Sequence, residues 1–343
     1  MSTLGDSEYG VRWDEQSDKF ILDLMPIITD DGFECYITAV GKGNEDYLMC
    51  RLDAINGVSI EEIVERMSIL TGCSTKQELY YEILGASLPT YCQHLKYFGI
   101  MDEGMQAVFT LTNREGKSAD VTLEAVPGKS VQGMDKVEYK ADEKNSKGEL
   151  GLDFASSHLQ SGSCCEVIAD GKVVYVQFNF DYIPDVQGSY DRLMERIKTA
   201  AASGKVEKLA IDFRGTYDGS WDYSVQKVIK TLNDIDAKID KYILIDHTIE
   251  APILTALILR NVEGAKSVGS TVFNMPLLSS RIKNYYTPFE GVWINYFPTS
   301  LLFDVWPERE DKAFNPDITV YETAEDYRNG IDSVLKAIVD LGK

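Results

Sequence analysis

The sequence predicts a mixed α/β protein, and three observations carry that expectation. From about Val167 onward, short apolar runs alternate with amphipathic helical stretches. Before Gly128, apolar and polar residues alternate in the way of antiparallel strands. Hydrophobic residues make up 44% of the 343 and charged residues 26%, the balance of a chain that buries a sizeable core. At roughly 150 residues per domain the length implies about two domains. The composition places them at 1–127, a β-rich region, and 152–343, an α/β core. Between them 128–151 reads as a linker, with four glycines among many Lys, Asp and Glu.

In the first region, Lys19 to Leu24 and Glu34 to Val40 read as strands flanking the turn signal Asp30-Asp31-Gly32. Tyr47 to Ile55 reads as a third strand, closed by Asn56-Gly57, a strong hairpin signal. Ser59 stands three residues before Glu62, the spacing of a capping box, and predicts a helix through Met67. A second helix is expected over Gln77 to Leu84, and a hairpin from Gln106 to Thr112 and Ser118 to Val126. In the second region the expected strands are Lys172 to Asn179, Glu207 to Phe213 and Lys241 to Ile245. Helices are expected over Tyr190 to Ala201, Tyr223 to Leu232, Pro252 to Leu259, and a tail from Thr323 to Leu341.

Lys and Arg number 34 against 55 Asp and Glu, a net charge of −21. Such an excess repels phosphate backbones and anionic lipid surfaces, which argues against a nucleic-acid partner. No apolar run approaches the roughly 20 residues of a membrane-spanning helix. Met1 to Asp14 shows no basic segment followed by an apolar one. As written, the chain is expected in the cytoplasm, or outside it if a signal has been removed. The six cysteines show no Cys-x-x-Cys spacing and read as reduced, buried side chains. The three histidines, His94, His158 and His247, have no ligand spacing, so neither a metal nor a cofactor is expected.

In an α/β sheet, chemistry gathers where strands end and helices begin. Two such junctions stand out: Arg214 to Ser220, after Asp212-Phe213, and Asp246 to Pro252, after Ile245. The bland reading of the first is a glycine-bearing turn that supplies positive φ.

At these junctions the chain resembles the carboxyl-terminal processing (tail-specific) proteases and the tricorn protease core, a serine peptidase family. Leu52 to Val58 resembles the Ile-Asn-Gly unit of the family's PDZ-like region. Val174 to Asn179 resembles the first strand of its catalytic core, and Lys208 to Gly215 its Asp-x-Arg-Gly strand and glycine loop. Val268-Gly269 and Asn315 to Val320 resemble two later signatures. The resemblance implies a crotonase-like core, a PDZ-like N-terminal region, polypeptide or a protein partner as ligand, and possible homo-oligomers.

The positions that would carry the chemistry depart from the family. Setting Thr248 on the family's threonine puts Ala251 at the nucleophile, and a methyl group forms no acyl intermediate. Counting from Gly269, the general-base lysine falls on Met275, which accepts no proton. Of the oxyanion-loop glycines only Gly219 remains, and Asp218 opposes a developing negative charge. Pro252 removes a backbone N–H beside the nucleophile position. The resemblance thus implies a degenerate member, with Arg214, Gly215, Tyr217, Asp218 and Glu250 as binding candidates. The alternative is an active serine-type endopeptidase, with its nucleophile changed to alanine or the register shifted towards Ser220 or Ser224. His247 beside Asp246 reads as a capping or surface residue, and Glu250 as a helix-start carboxylate. The aromatics from Tyr285 to Trp306 read as core, with an exposed subset able to form a peptide groove.

Overall fold

The computed structural model describes residues 17–29, 32–73, 75–131, 135–140, 164–177, 186–214, 230–235, 238–247, 256, 259–260, 264–272, 283–286, 293–296 and 314–342. The chain divides into two compact units, Met1–Ala141 and Asp142–Lys343.

The first unit is an antiparallel sheet. β1 (Leu22–Thr29), β2 (Gly32–Gly41), β3 (Arg51–Ile55), β5 (Gln106–Thr112) and β6 (Ser118–Glu124) lie side by side. β4 (Val58–Ser59) joins β3, and β7 (Lys136–Glu138) joins β2. β1 runs five residues past the expected Leu24 because Pro26 is tolerated on an edge strand, which needs no outward N–H. The expected strand from Tyr47 is instead a 3-10 turn, Glu45–Tyr47, and the chain becomes extended only at Arg51. The polar Asn44-Glu45-Asp46 run favours that turn.

Asn56 and Gly57 take positive φ, 49° and 78°, and return the chain from Ile55 to Val58. The Asn56 side chain fixes the turn by donating to Ile100 O (2.9 Å) and accepting from Val108 N (2.8 Å). Ser59 caps the helix Ile60–Met67 by accepting from Glu62 N, and the helix buries Ile60, Ile63, Val64 and Met67. The second helix, Lys76–Tyr80, begins at a Thr75 cap and continues as a wider π turn over Tyr81–Gly85. Within the expected linker, Gly128–Val131 forms a helical turn and β7 pairs with β2.

The second unit holds a six-stranded sheet in the order β15 (Ile318–Thr319), β12 (Lys266–Gly269), β11 (Asp240–Ile245), β10 (Lys208–Asp212), β9 (Val173–Gln177), β8 (Cys164–Ile168). β8 is antiparallel to β9 and the rest are parallel. Parallel neighbours require crossovers, and crossovers of one hand that step one way across a sheet fall on one face. That face packs Val174, Val176, Leu209, Ile211 and Ile243 against Leu193, Met194 and Ile197 of the helix Val186–Ala201. The other face packs Tyr175, Ala210, Leu244 and Val268 against Val334, Leu335 and Ile338 of the last helix, Ser333–Asp340. Burial on both faces explains why β9 and β10 read as nearly continuous apolar runs.

A separate ribbon pairs β13 (Lys283–Tyr286) with β14 (Trp293–Tyr296), inside the aromatic segment. Of the expected helix Tyr223 to Leu232, residues 223–229 lie outside the described residues. The expected single helical tail is two helices, Ala324–Asn329 and Ser333–Asp340. Gly330 in the left-handed conformation (φ 66°) ends the first, and Asp332 caps the second. Among the described residues, Cys35, Cys50, Cys92 and Cys165 are buried and Cys73 partly exposed, none of them in a disulfide, and no helix is long and apolar enough to cross a membrane.

The later motifs turn out to hold the sheet edge. Asp317 accepts from Ser267 N and Oγ (both 2.8 Å) and from Arg260 Nη2 (2.8 Å), joining β15 to β12. Gly269 has φ 132°, and a Cβ there would lie 2.1 Å from Ile245 O. Gly269→Ala is therefore expected to destabilise the chain by about 2–4 kcal/mol, because backbone must move. A urea titration showing an unchanged midpoint would contradict this close approach.

Candidate functional site

Side chains alternate along β10, so Lys208, Ala210 and Asp212 face the last helix while Leu209 and Ile211 face the crossovers. The helix is gripped at both ends by this one strand. Lys208 Nζ donates to the terminal carbonyls Ile338 O (2.8 Å), Val339 O (3.2 Å) and Leu341 O (2.5 Å), where the helix dipole is negative. At the other end Asp332 accepts from Leu335 N (2.9 Å).

Arg214, two residues past the end of β10, links Asp332 to Asp212. Its Nε and Nη2 donate to the two Asp212 oxygens (3.0 and 2.7 Å), and its Nη1 to Asp332 Oδ1 (3.1 Å). The Tyr175 hydroxyl donates to Asp212 Oδ2 (2.8 Å) from the neighbouring strand β9. Gln177, two residues further along β9, buries its side-chain oxygen with no hydrogen-bond partner among the described residues.

Burial alone would raise the Asp332 carboxyl, but the Arg214 guanidinium and the helix N–H donors outweigh it and hold it below the usual carboxylate range. Burial and the Asp212 carboxylate push the Tyr175 hydroxyl far up, so it stays protonated and is no nucleophile. Glu322 is held up at about 8, first by burial and then by the Asp332 charge, and is a neutral acid at pH 7. His247 is lowered by burial, with Asp246 opposing, and its partly buried ring is neutral at pH 7.

β10, β11 and β12 end side by side, with Asp212 opposite Leu244 and Ile245 opposite Gly269. Of the residues singled out from the sequence, Arg214 is placed in the bridge just described. Gly215, Tyr217, Asp218, Gly219, Glu250, Ala251 and Met275 lie outside the described residues. Sequence reasoning missed Tyr175, Lys208, Glu322 and Asp332. Asp332 carried a signal, a capping aspartate two residues after Gly330, and Lys208 was a charge at the head of an apolar run. Glu322 carried none. Among the described residues, no cluster of His, Cys, Asp and Glu side chains is arranged to hold a metal ion.

No protein-family model matches the chain, and no curated protein does. The fold does match solved structures of CPAF, a chlamydial serine protease of the tail-specific-protease type. Mature CPAF superposes with a TM-score of 0.53 at 11% identity, covering 94% of this chain and 81% of that chain. A serine-to-alanine mutant of CPAF gives 0.54 at 10%, covering 95% and 84%. Mature CPAF complexed with lactacystin gives 0.53 at 10%, covering 94% and 82%. At such identity the likeness is one of fold.

Two outcomes follow from the bridge. Arg214→Met leaves Asp212 and Asp332 buried without their cation and should cost about 3–5 kcal/mol, read as a lower urea midpoint. For Glu322 the folded chain keeps a proton that the unfolded chain releases above about pH 4.5. Its contribution to stability therefore falls as pH rises from there to about 8. Glu322→Gln should raise Tm by about 2–6 °C at pH 8 and leave it unchanged near pH 4.5. Equal shifts at both pH values would show that Glu322 is an ordinary carboxylate.

Proposed function

We propose that this chain is a peptidase-fold protein that has lost its Ser/Lys dyad and binds extended polypeptide, or a partner protein, without cleaving it. The observation that carries the reading is the methyl side chain of Ala251 at the nucleophile position of the motif register, in a chain whose fold matches CPAF over 94–95% of its length. Met275, Asp218 and Pro252 depart from the same register in ways that each oppose acyl transfer. Arg214, a binding candidate from the sequence, is instead committed to two carboxylates within the chain.

A crotonase-like core belongs to the same proposal, supported by the one-way order of strands from β8 to β15. So does a PDZ-like first unit, supported by the Asn56-Gly57 hairpin that leads into a capped helix. Binding by strand addition to a sheet edge is the mode that such a scaffold offers an extended ligand.

The test uses purified full chain and a panel of unstructured, fluorescently labelled peptides. Binding without cleavage is expected, and Ala251→Ser should stay inert because the base and oxyanion donors are also missing. Cleavage by Ala251→Ser that serine-reactive reagents abolish would overturn the non-catalytic reading.

A further inference from the structure

The first unit carries a groove that neither the sheet nor the buried cluster of the second unit explains. It encloses about 560 Å³ and is lined by the Ile60–Met67 helix with its Ser59 cap, the Lys76–Tyr80 helix, Thr29 at the end of β1, and the start of β2. Its apolar surface comes from Leu79 and from Phe33 and Tyr80, whose half-buried rings meet at 4.3 Å between centroids. Its helical wall is acidic. Glu61 and Glu65 are exposed one turn apart on the same face, while the neighbouring Glu62 is already paired with Arg66. Like charges at this spacing repel, and among the described residues no cation forms an ion pair with either; Lys76, which also lines the groove, sits on the other helix. An adjoining hollow of about 390 Å³ shares Phe33 and Glu61, and there Arg51 is balanced by Glu34 and Asp53.

We infer that this groove binds an extended polypeptide segment with two cationic side chains flanking an apolar one, Lys or Arg at both outer positions. The inference rests on the polypeptide-binding reading above and names the ligand class for it. The spacing supports it. Glu61 and Glu65 are separated by about 6 Å along the helix axis, four residues at 1.5 Å each. Alternate residues of an extended chain are about 6.6 Å apart and share one side, so two such cations meet both carboxylates. The residue between them points away from the acidic wall and is left to the aromatic surface, and the ring faces also attract a cation. The net charge of −21 adds a long-range attraction for a basic segment and disfavours a second copy of this chain as occupant.

The experiment measures fluorescence anisotropy of labelled twelve-residue peptides with Lys-Val-Lys, Lys-Gly-Lys or Glu-Val-Glu at the centre, against the full chain and against Glu61→Gln/Glu65→Gln. These exposed side chains support no core, and circular dichroism confirms that the double variant is folded. Lys-Val-Lys should bind at least tenfold more tightly than the other two, weaken with salt, and lose at least tenfold on the double variant. Peptide binding that ignores either the central charges or the double variant overturns the groove while leaving polypeptide binding in place. If none of the peptides binds, in a panel that also includes neutral sequences, both readings fall together.

Discussion

The second unit is organised by one guanidinium. Arg214 meets Asp212 along one edge and Asp332 along the other, and those two carboxylates belong to β10 and to the cap of the last helix. A buried ion bridge is a poor stabiliser beside an apolar cluster of equal volume, because three charged groups leave water to form it. Its value is geometric. A planar fork accepts carboxylates only in its own plane, so the bridge fixes the position at which the helix lies on the sheet. Lys208 closes the other end, and β10 is thereby the ruler against which the helix is measured.

That arrangement also sets the charge of its surroundings. One arginine between two aspartates is already negative, and a third carboxylate nearby is favoured in its neutral form. Glu322 meets this by keeping its proton. Glu322, which feels the charges of Asp332 and Arg214, stays a protonated acid, and Tyr175, bonded to Asp212 at the end of β10, stays an un-ionised phenol. Tyr175, Asp212, Arg214 and Asp332 hold structure at that end of β10.

The second unit buries a charge bridge, Arg214 between Asp212 and Asp332. In the first, carboxylates such as Glu61 and Glu65 stand in solvent beside apolar surface. Exposed carboxylates are cheap to maintain and act over about 8 Å at physiological salt, which suits capture of a basic segment.

Much of the fold was legible in the sequence because it is written in local signals. Asn56-Gly57 can hardly do other than turn, since both residues accept positive φ. Ser59 before Glu62 marks a helix start, and the runs around Val174, Ala210 and Ile243 announce strands buried on both faces. The Asp-x-Arg and Asn-Pro-Asp motifs stood out in the sequence, though not as the clamps they form. Whether Asp212 pairs with a residue 120 positions away depends on which face of β10 the last helix covers, and no local pattern encodes that. The same holds for Glu322, whose proton is kept by burial and by carboxylates as distant in sequence as Asp332 and Asp246. Short-range propensity determined the elements; long-range burial alone decided which charges meet.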